Sequence, residues 1–263
     1  MNSPGQGLLA GRHALLTGAG RGIGAAIARG LAAHGATLTL VGRTAASLES
    51  VVSELQSDGT QAFCVTADVG QRDSLDAAFA AARARFGAID ILINNAGQAG
   101  SAPITKRDDK LWSDMLAVNL SGTYFGIQAA IPEMLKNNFG RIVNIASTAG
   151  MTGYAYVAAY CAAKHGVVGL TRAVAREVAT RNITVNAVCP GYTDTDIVRE
   201  AANKISKVTG RTQAEAVQVM AKTNPQGRLV KPEEVANAVS WLCLPGSESV
   251  TGQSIVVAGG ELM

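Results

Sequence analysis

The sequence predicts an α/β fold in which one parallel, doubly wound sheet carries helices on both faces. Short apolar runs alternate with helical patterns almost to the end of the chain. Most of these runs are continuously apolar rather than alternating, as in strands that are covered on both faces. Small residues are abundant, with 29 Gly among 263 residues, and they allow helices to lie close to a sheet.

Seven strands and six main helices are expected to alternate along the chain. The strands are predicted at residues 12–17, 36–42, 61–66, 89–93, 141–146, 183–189 and 254–258. The helices are predicted at residues 22–34, 44–57, 71–86, 108–136, 156–180 and 232–243. Because no linker, repeat or low-complexity segment interrupts this order, residues 1–263 are expected to form a single domain.

Residues 192–231, called the lid segment below, separate two predicted strands by much more than a usual connection. The sequences DTDIVREAANKISKV and TQAEAVQVMAKT within it predict one or two helices. Long insertions beside a sheet often cover a binding site, so we interpret this segment as a substrate lid. The alternative is a passive excursion over the surface.

Composition and charge exclude several classes of function. The net charge of +3, without a Lys/Arg run, argues against nucleic-acid binding. The four Cys and three His are scattered, which predicts reduced thiols, no metal site and a cytoplasmic protein. The N-terminal sequence MNSPGQGLLAGRH is unlike a signal peptide, and no apolar run is long enough to span a membrane.

The sequence TGAGRGIG at residues 17–24, called the glycine turn below, follows the first predicted strand and enters a helix. Gly18, Gly22 and Gly24 allow a tight bend and a close approach of the backbone to a ligand. The free N–H groups and positive dipole end of the helix favour a pyrophosphate. The alternative is a tight turn that binds no ligand.

The residues after the second strand favour NADP(H) over NAD(H). That strand ends in LVGRT and lacks the carboxylate that usually binds a free ribose 2′-hydroxyl. Arg43 at this position and Arg21 in the glycine turn would suit a 2′-phosphate. Either Arg could instead be a solvated surface charge, which leaves NAD(H) open. Asp68, after the third strand, could accept from the adenine amino group or cap the next helix.

Three polar side chains are expected at the carboxyl edge of the sheet or just beyond it. Ser147 ends the fifth strand, and Tyr160 and Lys164 follow one helical turn apart. A tyrosine can protonate a ketone oxygen, but its ordinary pKa is about 10. A lysine cation at about 4 Å could supply on the order of 4 kcal/mol toward lowering it. The alternative is an ordinary solvated pair on a helix surface.

At this point the sequence resembles the short-chain dehydrogenase/reductase family, in its compact branch. The matching elements are TGAGRGIG, NNAG (94–97), VNL with Asn119, Ser147, the Tyr160–Lys164 pair, and PG (190–191) followed by Thr193 and Thr195. They lie in family order over nearly the whole chain. The resemblance implies a Rossmann fold and a hydride transfer between a nicotinamide and a ketone or secondary alcohol.

The resemblance also implies specific site residues. The catalytic tetrad would be Asn119, Ser147, Tyr160 and Lys164. Asn119 would hold a water in a proton relay, although it could also be a helix-kinking residue without a chemical role. The nucleotide site would comprise Gly18, Gly20, Arg21, Gly22, Ile23, Gly24, Arg43, Asp68, Val69, Asn95, Ala96, Gly97, Tyr160, Lys164, Pro190, Gly191, Thr193 and Thr195. Substrate would contact Ser147, Tyr154, Tyr160 and Tyr192.

The resemblance favours 3-oxoacyl thioester reductases and hydroxyacyl-CoA dehydrogenases. A basic lid could guide a coenzyme A or carrier-linked substrate, or form an ordinary solvated face. The charges concerned are Arg199, Lys204, Lys207, Arg211 and Lys222 against Glu200 and Glu215. Tyr154, Tyr156 and Tyr192 keep a cyclic or aromatic alcohol–ketone pair open, and a catalytically silent nucleotide-binding regulator is a third reading. Relatives imply a homotetramer built through residues 108–136, 156–180 and the C-terminal strand.

Overall fold

The computed structural model describes residues 7–262, apart from the side chains of residues 204, 205 and 208. The sequence-based expectations for the first six residues and for the Lys204 side chain lie outside this described part.

The seven described strands form one parallel sheet in the order β3-β2-β1-β4-β5-β6-β7. Each predicted strand is confirmed to within two residues at both ends. The strands are β1 His13–Thr17, β2 Thr37–Gly42, β3 Ala62–Thr66, β4 Ile91–Asn94, β5 Gly140–Ile145, β6 Ile183–Pro190 and β7 Ser254–Val257. The central strands β1, β4, β5 and β6 are buried along their whole length, which explains their continuously apolar sequences.

All six predicted helical regions are helical, and the lid segment holds two further helices. The helices are α1 Gly22–Ala33, α2 Ala45–Ser57, α3 Arg72–Phe86, α4 Asp109–Leu116, α5 Gly122–Asn137, α6 Ala158–Val178, α7 Asp196–Thr209, α8 Gln213–Ala221 and α9 Pro232–Cys243. The region predicted as one helix over 108–136 contains α4, a π-helical stretch at Ala117–Ser121, and α5.

The π-helical stretch coincides with the buried side chain of Asn119. Asn119 Nδ2 donates to the carbonyl of Met115 at 3.1 Å, an acceptor that the Asn119 backbone N–H would use in a regular α-helix. The side chain therefore replaces one bond of the α-helical ladder, and such bulges often mark functional sites.

Two large apolar clusters lie on opposite faces of the sheet. Side chains from α1, α2 and α9 pack on one face, and side chains from α3, α5 and α6 pack on the other. A Cβ on Gly30 of α1 would lie 2.9 Å from Ser240 Oγ of α9, so these helices approach closely. The predicted doubly wound architecture is confirmed.

The direction in which successive strands are added to the sheet changes between β1 and β4. Strands β2 and β3 follow on the outer side of β1, and strands β5, β6 and β7 follow on the outer side of β4. The loops that follow β1 and β4 lie side by side at the carboxyl edge of the sheet. In open α/β sheets this edge is where ligands bind. The glycine turn follows β1, and the sequence NNAG ends β4 and forms the loop after it.

Candidate active site

The glycine turn adopts a conformation that other residues would not fit. Gly18 and Gly22 have φ values of 66° and 53°, in the left-handed region. A Cβ on Gly24 would lie only 2.1 Å from the carbonyl oxygen of Gly18. A Cβ on Gly20 would lie 2.5 Å from Ser47 Oγ of α2. The turn therefore keeps its backbone close to the start of α1, as a pyrophosphate cradle requires.

The glycine turn is held against the loop after β4. Thr17 Oγ1 accepts hydrogen bonds from the backbone N–H groups of Asn95 and Ala96, both at 3.0 Å. Asn95 Nδ2 donates to the carbonyls of Thr17 and Gly18, also at 3.0 Å. The structure thus brings Asn95 to the predicted site, where its side chain braces the turn. No pattern in the sequence indicates the part played by Thr17.

Asp68 and Val69 lie just beyond the end of β3 at the same edge. Asp68 Oδ1 accepts from the N–H of Gly70 at 2.9 Å, which forms a local turn. Because α3 begins after Gln71, Asp68 does not cap it. Val69 is buried, and a Cβ on Gly122 would lie 3.0 Å from its side chain, so α5 starts close to this loop.

The two arginines expected at the nucleotide ribose differ in their partners. Arg21 Nη1 pairs with Asp196 Oδ2 at 3.2 Å, and both side chains are largely exposed. Asp196 is the first residue of α7, so Arg21 links the glycine turn to the lid segment. Arg43 lies exposed beyond β2, without a hydrogen bond or ion pair to the rest of the described chain. Of these two arginines, only Arg43 therefore has a side chain that is free to bind a phosphate.

Ser147, Tyr160 and Lys164 come together beside the end of β5. Ser147 lies close enough to Tyr160 for its hydroxyl to lower the pKa of the phenol. Lys164 is only 4% exposed, and its Nζ donates to the carbonyl of Ile145 at 2.8 Å. Nζ also lies 5.7 Å from the ring centroid of Tyr160. The surface-pair alternative for Tyr160 and Lys164 is thus excluded.

Burial controls the pKa values of this cluster. It raises the pKa of Tyr160 to about 12, and the nearby hydroxyl of Ser147 opposes that rise. It also lowers the pKa of Lys164 to about 8. The expectation that Lys164 brings the pKa of Tyr160 toward neutrality is wrong for the protein alone, because desolvation raises this pKa and Lys164 is not among the groups that shift it. Tyr160 is accordingly held as a protonated phenol.

Asn119 lies next to this cluster, and both ends of its side-chain amide are hydrogen-bonded to backbone groups. Its Oδ1 accepts from the N–H of Gln98 at 3.2 Å, and its Nδ2 donates to the carbonyl of Gln98 at 2.9 Å. A Cβ on Gly97 would lie 2.9 Å from Asn119 Oδ1 and 3.7 Å from Lys164 Nζ. The absence of a side chain at Gly97 therefore lets Asn119 and Lys164 face the same backbone segment.

The residues after β6 connect the sheet to the lid segment. Pro190 ends β6, and the N–H of Gly191 donates to the carbonyl of Val257 in β7. Thr193 is buried and forms a parallel bridge with Val230, so the two ends of the lid segment are joined. A Cβ on Gly22 would lie 3.1 Å from Thr195 Cγ2, which places Thr195 against the glycine turn.

Two of the predicted substrate residues form an aromatic pair near the catalytic cluster. The rings of Tyr154 and Tyr192 meet edge to face, with centroids 6.4 Å apart. The Tyr154 hydroxyl donates to Glu261 Oε1 at 2.5 Å and accepts from the hydroxyl of Thr148, with Oγ1 2.9 Å away. Burial, followed by the bond with Glu261, raises the pKa of Tyr154. Glu261 was missed by the sequence reasoning, because nothing in the final residues marks it as part of a site.

Tyr156 lies apart from this pair and is 68% exposed. Its φ of 68° is unusual for a bulky residue. Its carbonyl accepts from the N–H of Ala102, which ties the loop after β5 to the loop after β4. The contribution of Tyr156 is thus through its backbone rather than through its ring.

The basic surface expected on the lid segment is partly neutralised. Arg199 pairs with Asp194 at 3.0 Å and with Asp196 at 3.7 Å. The prediction counted neither of these carboxylates. Lys207, Arg211 and Lys222 remain exposed. The lid segment therefore carries a weaker positive surface than its basic residues alone indicate.

Over residues 7–262, no group of three or more acidic, His or Cys side chains is arranged to hold a metal ion. No helix in this range combines the length and the apolar character needed to cross a membrane. Cys64, Cys161, Cys189 and Cys243 are free thiols, and all but Cys64 are buried.

A glycine turn at the sheet's switch point, with a half-buried Tyr, a buried Lys and a Ser beside it, is typical of nucleotide-dependent oxidoreductases. The family model described as short chain dehydrogenase matches residues 12–206. The chain therefore belongs to the short-chain dehydrogenase family, and it is an oxidoreductase of that family.

The chain is similar to several reductases along almost its entire length. A Streptomyces coelicolor protein provisionally named a ketoacyl reductase is 39% identical over 94% of this chain and 95% of the relative. The 3-oxoacyl-[acyl-carrier-protein] reductase FabG of Staphylococcus aureus is 35% identical over 96% and 98%. A crystal structure of a variant of actinorhodin polyketide ketoreductase with NADPH superposes with a TM-score of 0.90. It is 39% identical and covers 95% of this chain and 97% of that one.

Proposed function

We propose that the protein is an NADP(H)-dependent reductase of 3-oxoacyl thioesters, with Tyr160 as the proton donor. The observation that carries this proposal is the cluster of Ser147, Tyr160 and Lys164 beside the glycine turn. The names of the relatives support the substrate class, since ketoacyl and 3-oxoacyl-carrier reductases are among them.

The residues present fit a dinucleotide. The missing Cβ atoms at Gly18, Gly24 and Gly97 let the glycine turn, the start of α1 and the loop after β4 pack closely, and α1 directs its free N–H groups toward that turn. The end of β2 carries no carboxylate, and the exposed Arg43 stands in its place. This favours a 2′-phosphate over a free hydroxyl, and the ketoreductase structure that resembles this chain contains NADPH. NAD(H) is the alternative, because Arg21 is already paired with Asp196.

NADP(H), when bound, supplies the hydride for the carbonyl carbon. Side chains of the protein then act on the carbonyl oxygen of the substrate. Tyr160 donates its phenolic proton to the carbonyl oxygen, and Ser147 donates a hydrogen bond to the same oxygen as negative charge develops there. Lys164 is a cation below pH about 8 and stabilises the phenolate that Tyr160 leaves behind. Asn119 positions the backbone at Gln98 next to Lys164.

A ketone within a cyclic or aromatic skeleton is the second candidate substrate. The observation that favours it is the edge-to-face pair of Tyr154 and Tyr192 near the catalytic cluster. Aromatic walls of this kind bind flat, apolar groups better than extended acyl chains. The two candidates share the same chemistry at Tyr160 and differ only in what surrounds the carbonyl.

The surface supports a homotetramer of single-domain subunits in the cytoplasm. Trp112 of α4 and Tyr124 of α5 expose much of their side chains, as does Trp241 of α9. Strand β7 is an edge strand of the sheet. Exposed aromatic residues beside an open sheet edge are characteristic of subunit interfaces. Size-exclusion chromatography with light scattering would show a mass four times that of the 27.0 kDa chain.

Steady-state assays with acetoacetyl-CoA test the proposed activity. We expect NADPH to be consumed well ahead of NADH at equal concentration. Acetoacetate without the thioester serves as the matched control and should be a poor substrate. Turnover confined to small or cyclic ketones would move the function to the second candidate. Tight NADPH binding without turnover of any carbonyl would favour the silent nucleotide-binding regulator.

A further inference from the structure

Residues 258–262, called the C-terminal tail below, follow β7 and turn sharply. Gly259 and Gly260 have φ values of 61° and 94°, in the left-handed region that favours glycine. A Cβ on Gly259 would lie only 2.0 Å from Oδ1 of Asn224, a buried residue of the lid segment. The tail is therefore packed closely against the lid segment, and its backbone geometry fixes the direction that it takes.

The C-terminal tail is joined to the loop between Ser147 and Tyr160 by hydrogen bonds. Glu261 Oε1 accepts from the hydroxyl of Tyr154 at 2.5 Å. The Tyr154 hydroxyl accepts in turn from the hydroxyl of Thr148, with Oγ1 2.9 Å away. Thr148 is buried and is the residue next to Ser147. Two hydrogen bonds in series therefore connect the tail with the neighbour of Ser147.

The carboxylate of Glu261 is held in a fixed place. A Cβ on Gly191, just beyond β6, would lie 2.9 Å from Oε2, so this oxygen lies against the backbone there. Oε2 is shielded from solvent and accepts no hydrogen bond from any described residue. The bond to Tyr154 is thus the one hydrogen bond that the carboxylate makes within the described part of the chain. Bonds from a hydroxyl to a carboxylate are about twice as strong as those between neutral groups.

The ring that the C-terminal tail holds is one wall of the proposed substrate site. Tyr154 meets Tyr192 edge to face, with ring centroids 6.4 Å apart. Tyr192 is anchored through its backbone, because its carbonyl accepts from the N–H of Val230 in the stem of the lid segment. Met151 and Tyr156 in the loop of Tyr154 are exposed, so apolar packing supports this loop little. The bond to the tail carboxylate therefore helps to set how Tyr154 stands against Tyr192.

We propose that Glu261 is a positioning residue for the substrate. Through its bond to the Tyr154 hydroxyl, it holds the Tyr154 ring in the orientation that contacts the substrate beside the reacting carbonyl. This inference rests on the proposed function, because it concerns the substrate of that same site, and it applies to either candidate substrate. Glu261 takes no part in hydride or proton transfer. Its loss should therefore weaken substrate binding and leave the chemical step nearly intact.

Steady-state kinetics of Glu261 variants test this role, with acetoacetyl-CoA and the two-ring ketone 2-tetralone as substrates. In Glu261→Leu the Tyr154 hydroxyl loses its acceptor. For the substrate that the wild type reduces, we expect KM to rise about tenfold and kcat to change by less than about twofold. Glu261→Gln keeps an acceptor oxygen and should bring KM to within about threefold of the wild-type value. The matched control is Glu49→Leu, which removes an exposed carboxylate of α2 and should leave both constants unchanged.

A double variant shows whether Glu261 acts through Tyr154. Tyr154→Phe removes the hydroxyl and keeps the ring, so we expect KM to rise about tenfold here as well. Adding Glu261→Leu to Tyr154→Phe should then change KM by less than about twofold, because the shared bond is already lost. A further rise of about tenfold in the double variant would overturn the proposal, since Glu261 would then act by another route. An unchanged KM in Tyr154→Phe overturns it even if Glu261→Leu does not fold.

Failure of this inference is distinguishable from failure of the proposed function. An unchanged KM in Glu261→Leu, or a loss confined to kcat, refutes the role of Glu261 while the activity stands. If no carbonyl is reduced, hydrogen exchange over residues 148–157, followed by mass spectrometry, makes the test without turnover. The N–H groups of Gly150, Met151 and Thr152 donate to carbonyls at the start of this loop. They should exchange faster in Glu261→Leu than in the wild type or Glu261→Gln. Equal exchange in all three proteins would then refute the inference.

Discussion

The glycine turn and the lid segment lie against each other, yet they are held in place by different kinds of interaction. The turn is fixed by backbone geometry, with Gly24 packed on Gly18 and the Asn95 side chain bound to two carbonyls. The lid segment contains a small apolar cluster of its own, with Val198 and Met220 among its members. It reaches the turn through the exposed ion pair between Arg21 and Asp196.

This difference matches two proposed tasks. The glycine turn and the catalytic cluster would carry out the reaction, and the lid segment would contact the substrate. In the proposed function the glycine turn binds the cofactor and the catalytic cluster transfers a proton, and tight packing suits both tasks. The lid segment is joined to the sheet by a stem at Thr193 and Val230 and by exposed ion pairs. Surface ion pairs contribute only about 0–1 kcal/mol each. The ion pair between Arg21 and Asp196 therefore adds little to the attachment of the lid segment.

The largest effect is expected at Tyr160. Tyr160→Phe removes the proton donor but leaves the ring among its neighbours, so we expect kcat to fall by about 10²–10⁴-fold. NADPH affinity, measured by protein fluorescence, should change little. A variant that kept more than a tenth of the rate would show that another group donates the proton.

A substitution in the glycine turn should act next most strongly. Gly24→Ala places a Cβ 2.1 Å from the Gly18 carbonyl, and overlap of this kind costs about 1–3 kcal/mol. We expect NADPH affinity to fall about tenfold to hundredfold. Gly153→Ala is the matched control, because its Cβ would meet no atom within 4 Å. Equal affinities for the two variants would contradict the tight packing of the turn.

The pH dependence of reduction tests the charge of Lys164. Because burial lowers the pKa of this lysine to about 8, it loses its positive charge as the pH rises through that value. We therefore expect kcat/KM for ketone reduction to be level below pH about 8 and to fall about tenfold per pH unit above it. In Lys164→Arg the guanidinium stays charged, and the falling limb should move beyond pH 10. An unshifted limb would assign the titration to another group.

The smallest effects are expected at the two arginines of the predicted nucleotide site. Arg43→Ala should lower kcat/KM with NADPH about tenfold and leave the value with NADH unchanged, because it removes a charged bond to the 2′-phosphate. Arg21→Ala should cost only about twofold, since Arg21 is shared with Asp196. The ratio of kcat/KM with NADPH to kcat/KM with NADH, measured for each variant, compares the two arginines. A larger loss at Arg21 would mean that it leaves Asp196 when NADPH binds.

The sequence-based predictions are accurate for local features and miss contacts between residues that are far apart in the chain. All seven strands and the cluster of Ser147, Tyr160 and Lys164 could be predicted, because burial patterns and a spacing of one helical turn are local signals. The pairs Arg21–Asp196 and Tyr154–Glu261 could not, because their members lie 175 and 107 residues apart and only the folded chain joins them. The raised pKa of Tyr160 was missed because the degree of burial is not a local property of the sequence.

The most direct measurement follows a labelled hydride. NADPH carrying deuterium at C4 of the nicotinamide would be incubated with the enzyme and acetoacetyl-CoA, and the product examined by mass spectrometry. One stereoisomer of the label should place a single deuterium on C3 of 3-hydroxybutyryl-CoA, and Tyr160→Phe should form that product far more slowly. Unchanged acetoacetyl-CoA, or a reduced product without deuterium from either stereoisomer, would contradict direct hydride transfer to a 3-oxoacyl thioester.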